Sequence, residues 1–253
     1  MGARMVLVAR DRARAEATLA RLRAIAPGAA HRVYYADLSQ LAEMKQVGHE
    51  IAAAEPRIDV LINNAGGMFA SKQVTKDGLE MTFATNHMSY FVLTELLRKN
   101  LAASAPARVV NTASNAHRGA KLDFADLQAE KSYSGFRVYG RSKLCNILFT
   151  RELARRLAGT GVTANSLHPG FVNTRFGDQN QGFGSVVFGF LKKFALTPEQ
   201  GSETIVYLAS SDAPTKLSGE YFYKSKIVAP SKEAQDDEAA VRLWQESERI
   251  ARV

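Results

Sequence analysis

Tyr139 and Lys143 are the two residues of this chain whose types and spacing most directly suggest chemistry. They stand four residues apart in a segment with helical periodicity, and this spacing puts a phenol and an ammonium on one helix face. A nearby lysine favours the phenolate, so the pair predicts a tyrosine whose pKa is lowered from about 10 towards neutrality, as a general acid/base requires. The same spacing also occurs on ordinary solvated helix faces, so its interpretation depends on the surrounding residues.

Two clusters of small polar residues each follow an apolar run. Asn63-Asn64-Ala65-Gly66 comes directly after the run that ends at Ile62, and Ser114 closes the segment that begins at Arg108. Asn and Gly are common in turns, and a serine often satisfies the backbone of a turn, so each cluster alone also fits an ordinary loop. Their meaning depends on whether the fold brings them together.

Short β-branched runs alternate with longer amphipathic segments along the chain. The predicted strands are Met5–Ala9, Arg32–Tyr35, Ile58–Asn63, Arg108–Thr112, Val162–Leu167 and Tyr221–Ile227. The predicted helices are Arg12–Ile25, Leu41–Ala54, Gly78–Ala102, Tyr139–Leu157, Glu199–Ala209 and Glu233–Ile250. This alternation predicts an α/β fold with a Rossmann-like, doubly wound parallel sheet in a three-layer arrangement. Ligands of such sheets bind at the carboxyl ends of the strands, so we expect the polar clusters to meet there.

Composition and charge exclude several classes of protein. The chain has 253 residues, 46% of them hydrophobic, and one cysteine, which excludes a disordered polymer and a disulfide scaffold. Its net charge of +8 is dispersed, which argues against a nucleic-acid partner. His87, His117 and His168 lack metal-ligand spacing, so we interpret them as structural and expect no metal site. No apolar run approaches the ~18 residues that span a bilayer, and we expect a soluble cytoplasmic protein.

The order of the polar motifs along the chain is similar to that of the short-chain dehydrogenases/reductases. The matching residues are Asn63-Asn64-Ala65-Gly66, Thr85-Asn86-His87, Ser114, Tyr139-x-x-x-Lys143 and His168-Pro169-Gly170. Within that family, the segments Phe83–His87, Asn111–His117 and Tyr139–Asn146 resemble the retinol-dehydrogenase-like and WW-domain-oxidoreductase-like branch. The combination is specific, although each motif alone is not.

The resemblance implies a catalytic group made of Asn86, Ser114, Tyr139 and Lys143. Tyr139 would exchange a proton with the substrate oxygen, and Ser114 would orient that oxygen by a hydrogen bond. Lys143 would lower the pKa of the tyrosine and hold the nicotinamide ribose, while Asn86 would anchor a water that links Lys143 to solvent. The implied reaction is hydride transfer between a nicotinamide cofactor and an alcohol or carbonyl.

The same resemblance assigns cofactor contacts to residues that follow the predicted strands. They are Arg10, Asp37, Leu38, Asn64, Ala65, Gly66, Tyr139, Lys143, Pro169, Gly170, Val172 and Thr174. Arg10, at the end of the first strand, favours NADP over NAD, because a 2′-phosphate needs a cation where NAD sites carry an acid. Asp11 could be that acid or the N-cap of the next helix, and Asp37 could contact adenine or cap a helix that starts near Ser39.

The chain departs from the family pattern at its beginning. The family opens with a strand, a Gly-rich turn and a helix, whereas Gly2 is the only glycine here before Gly28. We expect one domain over residues 1–253 that lacks about 30 residues of a βαβ unit, with the absent strand at the sheet centre. Two explanations stay open: the natural enzyme starts upstream of Met1, or the chain is a short form that serves as a non-catalytic scaffold or interaction protein.

A phenylalanine-rich stretch over residues 171–194 follows the Pro169-Gly170 pair. Such a stretch predicts a flap over an apolar alcohol or carbonyl substrate, and local packing of an ordinary loop explains it equally well. Contact with a membrane surface through residues 186–194 is the less favoured alternative. The sequence leaves the particular substrate and the oligomeric state open.

Overall fold

Short strands alternate with helices in the computed structural model, which describes residues 2–170 and 196–252. The strands are β1 Val6–Ala9, β2 Arg32–Tyr35, β3 Val60–Asn63, β4 Ala107–Thr112, β5 Val162–His168, β6 Tyr221–Tyr223 and β7 Lys226–Ile227. The helices are α1 Arg12–Ile25, α2 Leu41–Ala54, α3 Met81–Phe83, α4 Ser89–Ala103, α5 Gly135–Arg156, α6 Pro198–Ser210 and α7 Asp237–Ala251. A π-helical turn, Ala84–Met88, joins α3 to α4, and Asn115–His117 and Glu233–Gln235 form 3₁₀ turns.

The strands form a five-stranded sheet in the order β3-β4-β5-β6-β7 and a separate β1-β2 pair. All neighbours pair in parallel except β6 and β7. Adjacent residues of β4 point to opposite faces of the sheet. Val109 lies in the apolar core with α4 and α5, whereas Val110 packs with Leu208 of α6. The predicted α/β fold with helix layers on both faces of a parallel sheet is confirmed.

The sheet is divided between β1 and β3. Each of these strands has a hydrogen-bonded neighbour on one side only, and the described residues place no strand between them. Ile62, in the middle of β3, is 38% exposed although it is apolar. Among the described residues, β1 and β3 are therefore edge strands, each unpaired on one side.

An aromatic cluster fastens α7 to the outer side of α4 and α5. The buried Trp244 ring lies 5.0 Å from the Phe91 ring and 5.6 Å from the Phe149 ring, centroid to centroid. Aromatic rings at such distances contribute beyond the area that they bury. The helix that carries the candidate catalytic pair is therefore held between the sheet and α7.

Two predicted elements differ from the structure in type. The predicted strand Tyr221–Ile227 is a hairpin of β6 and β7, because Lys224 and Ser225 have φ values of +49° and +58° and reverse the chain. The predicted helix Glu233–Ile250 is a 3₁₀ turn followed by α7, since the Asp236 side chain accepts a hydrogen bond from the Ala239 N–H and caps a new helix.

Two predicted helices start elsewhere than expected. The helix predicted from Gly78 starts at Met81, where the buried Glu80 carboxylate accepts hydrogen bonds from the Thr82 and Phe83 N–H groups. The helix predicted from Tyr139 begins at Gly135, so Tyr139 lies in its second turn. That shift matters for the site, because it places Tyr139 inside the packed part of α5.

Candidate active site

Ser114 and Tyr139 meet beside the carboxyl end of β4. Ser114 follows β4 by two residues and caps the 3₁₀ turn Asn115–His117, where its side chain accepts a hydrogen bond from the Ala116 N–H at 3.2 Å. The Tyr139 phenol forms a hydrogen bond with the Ser114 side chain. The strand end and α5 thus join a hydroxyl and a phenol, both half-buried, in one direct contact.

Gly140 explains how closely this turn approaches α5. A Cβ atom at Gly140 would lie 2.6 Å from the Ala116 carbonyl oxygen, a distance that real Cβ atoms do not show. Only glycine lets the 3₁₀ turn rest directly on the helix at the residue after Tyr139. The sequence analysis did not identify this glycine, although its position inside a helix pattern is a signal of close approach.

Lys143 lies one helical turn beyond Tyr139 and is 3% exposed. Its Nζ donates a hydrogen bond to the Thr112 carbonyl oxygen at 3.0 Å. The same Nζ lies 5.6 Å from the Tyr139 ring centroid and 5.8 Å from the Tyr90 ring centroid, so two phenol rings flank one ammonium. The predicted shared face of Tyr139 and Lys143 is therefore present, and Tyr90 is a neighbour that the spacing did not indicate.

The predicted lowering of the Tyr139 pKa is wrong for this structure. Burial raises the pKa of Tyr139 to about 12, although the hydrogen bond with Ser114 acts in the opposite direction. Burial also lowers the pKa of Lys143 to about 7. Loss of solvent thus disfavours both charged forms and outweighs the attraction that the spacing alone suggested.

Asn86 ties the loop after β3 to α5 from within the π-helical turn. Its Oδ1 accepts a hydrogen bond from the Gly67 N–H at 2.7 Å, and its Nδ2 donates to the Gly67 carbonyl oxygen at 3.0 Å and to the Ser142 Oγ at 2.9 Å. Both N–H bonds of the side-chain amide are thus used within the protein. Its predicted role in holding a water stays a prediction. Its observed contacts hold Gly67, and the preceding Gly66 lies beside Lys143.

A buried amide network lies beneath these residues. Asn63 and Asn111 are register partners on β3 and β4, and the Asn63 Nδ2 donates to the Asn111 Oδ1 at 2.8 Å. Asn111 in turn donates to Thr150 of α5 at 2.9 Å, and Asn63 donates to Thr94 of α4 at 3.0 Å. Asn63 is predicted from the sequence as part of a turn motif, and this network is not predicted. Its signal is an asparagine in the last two residues of each strand.

Residues predicted to contact the adenosine end of a cofactor lie at the carboxyl ends of β1, β2 and β3. Arg10 is exposed, and its Nη1 lies 3.8 Å from the Asp37 carboxylate. Leu38 follows half-buried, and Asn64, Ala65 and Gly66 are exposed after β3. The Thr112 hydroxyl donates to the Asn64 Oδ1 at 2.9 Å and links the loop to β4. The carboxyl ends of β1 and β3 therefore carry an exposed cation, Arg10, and the exposed residues 64–66.

The two acids of this edge have local roles. The Asp11 side chain accepts a hydrogen bond from the Arg14 N–H at 3.0 Å and caps α1, as one of its two alternatives predicted. Asp37 does not cap a helix, since α2 begins only at Leu41, and its Oδ1 accepts from the Ser39 N–H at 3.1 Å in the preceding turn. The acid next to Arg10 is thus engaged in capping.

The sequence model of the family described as short chain dehydrogenase matches residues 1–182. Mouse retinol dehydrogenase 14 is 42% identical over 265 residues, covering 98% of this chain and 78% of that protein. Human retinol dehydrogenase 13 is 39% identical over 258 residues, covering 98% of this chain and 77% of that protein. The chain belongs to the short-chain dehydrogenase family. Its similarity to these relatives also confirms the retinol-dehydrogenase-like resemblance.

Solved structures agree with the fold of this short-chain dehydrogenase. A crystal structure of an uncharacterized Mycobacterium paratuberculosis protein is 28% identical, with a TM-score of 0.72, and covers 99% of this chain and 94% of that one. The Pseudomonas aeruginosa RhlG/NADP active-site complex is 24% identical, with a TM-score of 0.65, and covers 87% of this chain and 84% of that one. The second likeness bears on the fold alone.

The remaining predicted site residues of this short-chain dehydrogenase lie after β5. Pro169 and Gly170 are half-buried, and Gly170 has a φ of +90°. Val172, Thr174 and the phenylalanine-rich stretch lie outside the described residues. Among the described residues, no group of His, Cys, Asp and Glu side chains is arranged to hold a metal ion, and no helix combines the length and apolarity needed to cross a bilayer.

Proposed function

We propose that this short-chain dehydrogenase catalyses hydride transfer between NADP(H) and an apolar alcohol or carbonyl compound, with Tyr139 as the general acid/base. The observation that carries the proposal is the contact of Tyr139 with Ser114 beside the buried Lys143. Family membership makes the chain an oxidoreductase. The substrate class, the role of Tyr139 and the preference for NADP are parts of the proposal.

The described residues fit a dinucleotide along the edge formed by β1, β2 and β3. A Cβ at Gly66 would lie 2.9 Å from the Asn86 Oδ1 and 3.6 Å from the Lys143 Nζ. The absence of a side chain at Gly66 therefore leaves space between its backbone and these two residues. Asn64, Ala65 and Gly66 would pack along the adenosine, and Asp37 and Leu38 would contact adenine. A bound nicotinamide supplies the hydride chemistry itself.

The raised pKa of Tyr139 suits carbonyl reduction. With its pKa raised to about 12, the Tyr139 phenol keeps its proton at neutral pH and can donate it to a carbonyl oxygen. Ser114, already bonded to the phenol, would hold that same oxygen by a hydrogen bond. Lys143 would hold the ribose next to the phenol and, at a pKa of about 7, pass a proton towards Tyr139 after each turnover.

The preference for NADP rests on Arg10. Its guanidinium is exposed at the end of β1, where a 2′-phosphate would lie, and its Nη1 is 3.8 Å from the Asp37 carboxylate. Asp11, the next residue along the chain, is committed to capping α1. A planar guanidinium gives a bidentate, charge-assisted contact to phosphate. We therefore assign the 2′-phosphate to Arg10.

An apolar substrate is supported by Phe136 and by the relatives. Phe136 lies three residues before Tyr139 on α5, on the same helix face, and is 67% exposed. An exposed aromatic side chain beside a catalytic phenol suits an apolar substrate. The relatives named retinol dehydrogenase make a retinoid aldehyde the natural first probe.

The test compares the chain with its Tyr139→Phe variant in NADPH binding and in reduction of a retinoid aldehyde. The variant should lose about 10²–10⁴-fold in kcat, because the proton donor is gone, while the Kd for NADPH stays within about threefold. Tyr207→Phe, on α6, is the matched control and should leave both unchanged.

Two results would contradict the proposal. If the Tyr139→Phe variant still reduced the aldehyde at the wild-type rate, Tyr139 would not be the general acid. A chain that binds no NADPH at all would instead support the alternative of a non-catalytic scaffold, for which the divided sheet is the observation in favour.

A further inference from the structure

His117 has a ring whose two nitrogens face partners of opposite kind. Its Nδ1 lies 2.6 Å from the Ser114 carbonyl oxygen, which can only accept, and its Nε2 lies 3.1 Å from the Ser231 N–H, which can only donate. The ring must therefore be neutral, with the proton on Nδ1. The partners alone fix this tautomer.

The ring is buried and clamped between distant parts of the chain. His117 has no exposed surface, and its ring packs edge-on against Tyr221 of β6 at 5.1 Å. The Tyr221 hydroxyl donates to the Asn115 Oδ1 at 3.1 Å, which fixes the same 3₁₀ turn at a second point. Ser231 lies just before the Glu233–Gln235 turn, so the C-terminal segment reaches back to the catalytic turn.

The Ser114 carbonyl oxygen accepts two hydrogen bonds from His117. The backbone N–H and the ring Nδ1–H of His117 both donate to its carbonyl oxygen, at 3.1 Å and 2.6 Å. The Ser114 side chain, on the other side of the same residue, meets the Tyr139 phenol. Rotation of the Ser114 peptide would therefore move the hydroxyl away from Tyr139.

We infer that His117 is a positioning residue for Ser114: its Nδ1–H bond to the Ser114 carbonyl sets the Ser114 hydroxyl against Tyr139, and its Nε2 ties that turn to the C-terminal segment. The inference rests on the proposed function, because it assigns His117 a role in the same reaction. It goes further by giving a task to a histidine that the sequence analysis treated as structural.

The surroundings of the ring favour the neutral form. Burial lowers the pKa of His117 below its usual 6.5, the neighbouring Arg118 acts in the same direction, and the Ser114 carbonyl and Glu233 oppose it. Two more titratable groups lie close to the ring. Burial lowers the pKa of His168, at the end of β5, to about 4, and burial raises the pKa of Tyr221, so both are neutral near pH 7. Protonation of Nε2 would set two N–H donors against each other at Ser231, so the hydrogen-bond geometry also favours the neutral ring.

Two substitutions separate the two hydrogen bonds. His117→Asn keeps a donor where Nδ1 stands, and His117→Gln keeps an acceptor where Nε2 stands. We expect His117→Asn to stay within about threefold of the wild-type kcat, and His117→Gln to lose roughly ten- to a hundredfold with little change in KM, because misplaced Ser114 affects the transition state. Both variants lose one hydrogen bond, so their melting temperatures should fall alike.

Arg118→Ala is the matched control. Arg118 joins the same turn to the same segment by a hydrogen bond of its side chain to the Ala229 carbonyl oxygen at 2.8 Å, and its backbone N–H donates to the Asn115 carbonyl oxygen rather than to that of Ser114. Its removal should leave kcat unchanged. If Arg118→Ala and His117→Gln reduce kcat equally, the effect is loosening of the turn, and the positioning role is overturned.

Nitrogen-15 NMR of the full chain supplies a readout that does not need turnover. The His117 ring should show the Nδ1–H tautomer and should not titrate near pH 6.5. An Nε2–H tautomer, an ordinary titration, or equal kcat values for the Asn and Gln variants would overturn the inference and leave the proposed function standing. A chain with the expected tautomer but without carbonyl reduction would overturn the proposed function, and with it the catalytic role of His117.

Discussion

The five-stranded sheet and the β1-β2 pair hold their polar residues in opposite ways. In the five-stranded sheet, β4 is hydrogen-bonded on both edges, and Asn63, Asn111 and Lys143 are buried with protein partners. In the β1-β2 pair, β1 has one bonded edge, its residues are half-buried, and Arg10 lies exposed at its end. The candidate catalytic group is therefore built into a packed core, whereas the strand ends that we propose for adenosine binding depend on surface contacts.

The difference shows which region of the molecule loses stability by burying ionisable side chains. Burial holds Lys143 and Tyr139 in place but disfavours their charged forms. The region that carries the candidate catalytic group therefore has a lower free energy of unfolding than it would have with apolar residues at these positions. Arg10, at the end of β1, is exposed and does not have this desolvation cost, and β1 is hydrogen-bonded to only one described strand. Changes in the first region should alter global stability, and changes in the second should alter local order or ligand binding.

Lys143→Met should give the largest effect. The unfolded chain keeps a proton on this lysine up to about pH 10.5, whereas the folded chain releases it near pH 7. Folding is therefore penalised most below pH 7, and the wild-type stability rises between pH 7 and 10.5. The variant lacks the buried charge, and Thr112 keeps its hydrogen bond from Asn146. We expect roughly 2–4 kcal/mol more stability at pH 6, measured by urea unfolding.

The control for this substitution is Lys99→Met, which removes an exposed lysine from α4. It should change the unfolding free energy by less than about 0.5 kcal/mol at any pH. If Lys143→Met were destabilising at pH 6, or if its stability rose with pH like that of the wild type, the claim of a buried and costly ammonium would fail.

Glu55→Gln should have a smaller, local effect on the β1-β2 pair. The Glu55 carboxylate, almost fully buried, accepts two hydrogen bonds from Arg4 just before β1 and lies 3.6 Å from Arg32. The hydrogen bond with Arg4 lowers the pKa of Glu55, so its contribution is present above about pH 4.5 and is lost as the pH falls through the folded-state value. We expect a loss of about 1 kcal/mol at pH 7 that vanishes in acid.

Hydrogen exchange can locate that loss. Amides of β1 and β2 should exchange about fivefold faster in Glu55→Gln at pH 7, while those of β4 and β5 stay unchanged. Asp59→Asn, which breaks the exposed Arg57–Asp59 pair, should alter neither region. Equal acceleration in both sheets would contradict the separation of the molecule into a packed half and a loosely held half.

Arg10→Ala should have the smallest effect on stability and a selective one on binding. The exposed Arg10 lies 3.8 Å from Asp37, so its loss should cost less than about 0.5 kcal/mol. If Arg10 holds the 2′-phosphate, the Kd for NADPH should rise about tenfold and that for NADH hardly at all. Equal weakening of both cofactors, measured by fluorescence titration, would refute the phosphate contact.

Much of the fold follows from local patterns. The β-branched runs predicted β1 to β5 to within two residues, and α1 and α2 match their predicted bounds, because burial against one face imposes helical and strand periodicity. The β6-β7 hairpin was missed, since Lys224 and Ser225 are not the usual residues for left-handed backbone. The candidate site residues could be predicted because their types and order are distinctive. The contacts of Gly140, Asn111 and His117 join residues far apart in the chain, and sequence spacing does not show them.

The sequence by itself determined the α/β class, the order of the motifs and the family, because residue type, periodicity and spacing are local properties. Only the tertiary structure decided that Tyr139 keeps its proton, that Asp11 caps α1, that the sheet divides between β1 and β3, and that His117 faces Ser114. These features depend on burial and on contacts between residues far apart in the chain, such as His117 and Ser231. Desolvation and hydrogen-bond partners are set by the packed molecule.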